Sequence, residues 1–115
     1  MRVLGALVAA LALSGVAGAT SPPVGRIPIG PVSTIATQRG QLVAVALPHA
    51  AGTSWRIARA LNPKVLREVD EADVGANVVI VFKAVGKGHA TIVFARTRGE
   101  TSHAYASRSF SVTVR

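Results

Sequence analysis

Residues 78–97 read VVIVFKAVGKGHATIVFART: two apolar runs broken by Gly86-Lys87-Gly88. The first, VVIVFKAV at 78–85, is dominated by β-branched residues, which suit a packed, pleated surface. The second alternates, with Ala90, Ile92 and Phe94 all facing one way. Two β-type runs with glycines between them predict a hairpin with a tight turn.

The same period extends outward in both directions. QLVAVAL at 41–47 is apolar on both faces, with Leu42, Ala44 and Ala46 opposite Val43, Val45 and Leu47, which predicts a strand buried on both sides. Trp55 and Ile57 alternate with Arg56 and Ala58, as in a half-exposed strand. The C-terminal SFSVTVR at 109–115 puts Phe110, Val112 and Val114 inward. Residues 62–72 fit two periods. Asn62-Pro63 is a helix-start signal and Val65, Leu66 and Val69 have helical spacing, yet Val65, Arg67 and Val69 also share one face of a strand. The strand is the better fit, because every neighbouring element has period two. About seven short strands with turn signals between them predict an all-β, immunoglobulin-like β-sandwich.

Before the sandwich stand two further segments. Met1-Arg2, an apolar run at 3–16 and Ala17-Gly18-Ala19 form a secretory signal layout, predicting cleavage after Ala19 and a secreted or periplasmic product. The apolar run is shorter than the roughly 20 residues that a bilayer span needs, so no membrane association is expected after cleavage. Residues 20–31, TSPPVGRIPIGP, read as a loosely held, extended lead-in to a domain at 32–115. Removing 19 of 115 residues leaves 96, enough for one domain. With no cysteine, its stability must come from burial and strand ladders. The remaining charge is about +7, twelve Lys and Arg against five acids, spread along the chain rather than clustered. Such a balance draws anionic partners. Few aromatics are placed to stack bases, which argues against nucleic acid.

Catalysis needs titratable groups that converge, and none is evident. His49, His89 and His103 are far apart in sequence, and neither Asp73 nor Glu100 is placed to orient one beside a nucleophile. Metal ligands at short spacing are missing, and the acidic run at 68–73 lacks the pattern of a calcium loop. The expectation is a non-enzyme with no metal or cofactor, and a monomer.

Three stretches resemble the chagasin family of cysteine protease inhibitors. In Leu47-Pro48-His49-Ala50-Ala51-Gly52-Thr53-Ser54-Trp55, Gly52 and Trp55 match that family's NPTTG-aromatic-x-Trp element. Val74-Gly75-Ala76-Asn77, then Phe82-Lys83-Ala84 and Gly88-His89-Ala90-Thr91-Ile92, are similar to its glycine-rich loop and FKA-x-x-x-G-x-A-T-I continuation. Arg96-Thr97-Arg98 falls where the family reads Arg-Pro-Trp. The resemblance implies three loops, at 48–54, 73–77 and 96–104, that enter the cleft of a papain-like cysteine protease. The implied contacts are Pro48, His49, Ala50, Ala51, Gly52, Thr53, Trp55, Gly75, Ala76, Asn77, Arg96, Thr97 and Arg98. The loops depart from the pattern at Pro48 to Ala51, at Thr53 and at Arg98, which replaces an aromatic. Two alternatives stand beside the inhibitor: a non-inhibitory immunoglobulin-like envelope module, and a cationic binder of anionic envelope polymers. Trp55 is expected in the core, with support of the first loop as the other reading.

Overall fold

The computed structural model describes residues 23–99 and 101–115; the signal-like stretch at 1–19 and Glu100 lie outside the described residues. Seven strands follow one another: β1 (Val32–Thr37), β2 (Leu42–Pro48), β3 (Ser54–Ile57), β4 (Leu66–Val74), β5 (Asn77–Ala84), β6 (Gly88–Thr97) and β7 (Ala106–Val114). They form two facing sheets. One has the order β1-β7-β6-β3, with β1 parallel to β7; the other is β2-β5-β4. The architecture is an all-β, immunoglobulin-like sandwich.

Alternation along each strand builds the core. Val43, Val45 and Leu47 of β2 meet Val78, Ile80 and Phe82 of β5, facing Ile92, Phe94, Phe110 and Val112 of the other sheet. Phe94 lies edge-on to Phe82 at 6.3 Å and to Phe110 at 5.9 Å, the orientation that suits the ring quadrupoles. No cysteine is needed to hold this together.

Four expectations change. The runs at 78–85 and 88–97 are not a hairpin. Their strands, β5 and β6, belong to different sheets, and residues 85–87 carry the chain across the core. The crossing takes its hydrogen bond from another connection, Val85 N–H donating to Val65 C=O at 2.9 Å. Gly86 is required there, because a Cβ would collide with the Lys64 carbonyl oxygen. Second, β2 is buried on one face only; Leu42, Ala44 and Ala46 face out. Third, 62–65 is a turn closed by Leu66 N–H to Asn62 C=O at 3.1 Å, after which the chain becomes β4. The strand reading holds from Leu66, but an irregularity between Glu68 and Asp70 leaves Val69 exposed.

The fourth change concerns the lead-in, which is held and not loose. Val24 is buried with Ala95 and Ala104 on the outer side of the larger sheet. Arg59 donates to the Val24 and Gly25 carbonyls at 3.2 and 3.1 Å, and the Ser107 hydroxyl to Pro28 C=O at 2.6 Å. Residues 23–31 thus form a strap.

Candidate functional site

Strand register fixes where the connections emerge. Pro48, the last residue of β2, pairs with Asn77, the first of β5, so the β2–β3 and β4–β5 connections leave side by side. Ser54, the first residue of β3, pairs with Thr97, the last of β6, which brings the β6–β7 connection to the same end. Sequence-singled residues from all three stretches are therefore brought together.

The first connection is closed locally. Thr53 donates to Ala50 C=O from its N–H (3.1 Å) and its hydroxyl (2.8 Å). Gly52 sits at φ +74° inside this turn, a left-handed conformation that glycine adopts freely. Trp55 closes the base of the loop: its indole N–H donates to Pro48 C=O at 2.8 Å. The ring is half-buried, packed against the core, with the Arg96 guanidinium 5.8 Å from its centroid. Trp55 is thus less buried than a core residue and ties the two ends of the loop. Pro48, His49, Ala51 and Gly52 are exposed, and Ala50 and Thr53 half-buried.

The second connection is the two-residue turn Gly75-Ala76, with Gly75 at φ +60°, as tight hairpins favour. It is bound to the first: His49 N–H donates to Ala76 C=O at 2.9 Å, and His49 Nε2 lies 3.2 Å from an Asp73 carboxylate oxygen. A cavity of about 190 Å³ opens beneath, between Trp55, His49, Glu71 and Asp73.

The third connection runs from Arg98 to Tyr105. The Thr97 hydroxyl donates to Gly99 C=O at 3.1 Å and Thr97 is fully buried, so it holds the loop from inside and offers no contact. Arg56 reaches across from β3 to Thr101 C=O at 2.7 Å, and Gly25 N–H of the strap donates to Ser102 C=O at 2.9 Å. Arg98 lies over the Tyr105 ring at 5.3 Å, and His103 meets that ring edge-on at 4.5 Å. Tyr105, 46% exposed, was not among the residues the sequence singled out. The available signal was a lone aromatic between a glycine-containing loop and an alternating strand.

Elsewhere the titratable groups stay apart. His89 Nε2 lies 2.7 Å from the Ser111 hydroxyl on the outer sheet face. Among the described residues, no group of three or more His, Cys, Asp or Glu gathers to hold a metal ion. The Glu68 carboxyl is raised above its ordinary value of 4.5, by burial and then by the nearby Glu71 charge.

With this sheet order and these loops, the fold is chagasin-like. Two solved structures are similar to it. One is the cysteine protease inhibitor EhICP2 from Entamoeba histolytica, at 17% identity and a TM-score of 0.54, covering 76% of this chain and 99% of that one. The other is PbICP-C in complex with falcipain-2, at 16% identity and a TM-score of 0.51, covering 82% of this chain and 98% of that one. No family model and no curated protein matches the chain.

Proposed function

We propose that the protein is an exported, monomeric and reversible inhibitor of papain-like cysteine proteases, and that its three loops fill the target's active-site cleft. The observation that carries this reading is that all three loops leave one end of the sandwich side by side, each tied down by hydrogen bonds. The His49–Ala76 and Arg56–Thr101 bonds link the first two loops to each other and the third to β3. Loops held this way lose little conformational freedom on docking. The fold supports the same reading, since one structural neighbour is a cysteine protease inhibitor and the other was solved in complex with falcipain-2.

In this reading Gly52 and Gly75 let the backbone approach the cleft, and Tyr105 under Arg98 supplies the aromatic anchor missing at position 98 itself. Aromatic and arginine side chains are the usual hot spots of such contacts. The test is a pair of variants in a papain inhibition assay. Tyr105→Ala should weaken inhibition about thirtyfold, the effect of losing ~2 kcal/mol at an anchor. Gly52→Glu should abolish inhibition while the melting transition remains cooperative. Inhibition unchanged in both variants would remove the loops from the contact and leave the envelope module as the better reading.

A further inference from the structure

The end of the sandwich opposite the three loops gathers exposed cations. Backbone hydrogen bonds assemble it: Arg39 N–H to Arg115 C=O at 2.9 Å, Gly40 N–H to Ala84 C=O at 2.7 Å, and Val85 N–H to Val65 C=O at 2.9 Å. These bonds set Arg39 beside Arg115, and bring Lys64 to the 85–87 crossing that carries Lys87. Arg67 and Lys83 are direct partners in the β4–β5 ladder. All six side chains are exposed, and none is ion-paired among the described residues. The half-buried arginines, Arg56, Arg96 and Arg108, belong to other parts of the sandwich, and Glu71 and Asp73 lie toward the loops. Two acids flank the rung, Glu68 next to Arg67 and Asp70 opposite Val81, so six cations stand against two carboxylates.

The Arg67–Lys83 rung is the informative detail. Like charges directly opposite across a ladder destabilise it, and an anion seated between them reverses the sign of that interaction. The other four cations surround the rung at the turns, so a chain of anions can pass from one to the next. The group includes no aromatic ring, so it lacks the stacking platform of a single-strand nucleic-acid binder. Leu42, paired with Lys83, and Val69, two residues from Arg67, are the large exposed apolar side chains beside it among the described residues, too little to wedge into a bilayer.

We propose that this end binds a linear acidic polysaccharide, leaving the loop end free. The inference is independent of the inhibitor reading. The test measures binding to polygalacturonate at 50 and 200 mM salt. Affinity should fall more than about tenfold across that range, as contacts with several charges require. The double variant Arg67→Glu/Lys83→Glu should lose about tenfold or more at 50 mM salt. Arg26→Glu/Thr34→Glu/Thr91→Glu has the same net charge with this end intact, and should bind as the unaltered protein does. Melting curves confirm that both variants fold. The proposal is overturned by no binding at 50 mM salt, by equal loss in both variants, or by tighter binding to single-stranded DNA or anionic vesicles than to polygalacturonate.

Discussion

Trp55 shows how one side chain serves both packing and loop geometry. Its ring packs on the core while its N–H holds Pro48 C=O, so the first loop is closed at its base. Trp55→Phe keeps most of the burial and removes that bond, worth about 1 kcal/mol. The melting temperature should fall by roughly 4–8 °C, and inhibition should weaken about fivefold. Unchanged inhibition by a folded Trp55→Phe protein would show that the bond does not set the loop. Glu68 gives a second prediction. Its folded-state pKa is raised, so ionisation disfavours the fold: its contribution is fully present below 4.5 and lost as pH rises through the folded value. Glu68→Gln should therefore raise thermal stability at pH 7, with the difference vanishing below pH 4.5. A stability gain that persists into acid would rule out ionisation as the cause. Neither role is readable from periodicity, which places Trp55 on an inward face but says nothing of where its N–H points.

Among the elements, the strap has the most to do with the third loop. Val24 is 8% exposed, covering Ala95 and Ala104, and Gly25 bonds Ser102 within the loop. Removing residues up to Pro28 uncovers this patch, and burying a valine contributes about 1.5–3 kcal/mol. Such a truncation should lower the melting temperature by about ten degrees and speed amide exchange across 98–105, while the core strands stay protected. Equal protection of 98–105 with and without the strap would mean that the loop is held by other contacts. Proline and glycine signal irregular backbone, so the sequence alone points to a loose segment at 20–31. What ties it down is a set of side chains distant in sequence, Arg59 and Ser107, and distance in sequence hides them. The turn at 86–88 points to a hairpin for a similar reason. Its glycines do mark a reversal, but the Val65 carbonyl that draws it across to the other sheet belongs to a different connection.

At the scale of the whole molecule, the strands, their inward faces and the sandwich were legible, because alternation records burial directly: Phe82, Ile92, Phe94 and Val112 all lie in the core as their spacing implies. The three loop positions were also legible, through the resemblance. Tyr105 and the buried state of Thr97 were not, since both depend on how the third loop folds against the strap and β3. The assembled molecule has two unlike ends, one of linked loops and one of exposed cations. The account's central claim concerns the first end, and a titration of papain with purified residues 20–115 tests it most directly. The expected result is complete, reversible inhibition, persisting at physiological salt because insertion into a cleft is screened far less than surface charge pairing. No inhibition at high micromolar concentration, or inhibition that disappears with added salt, would contradict it.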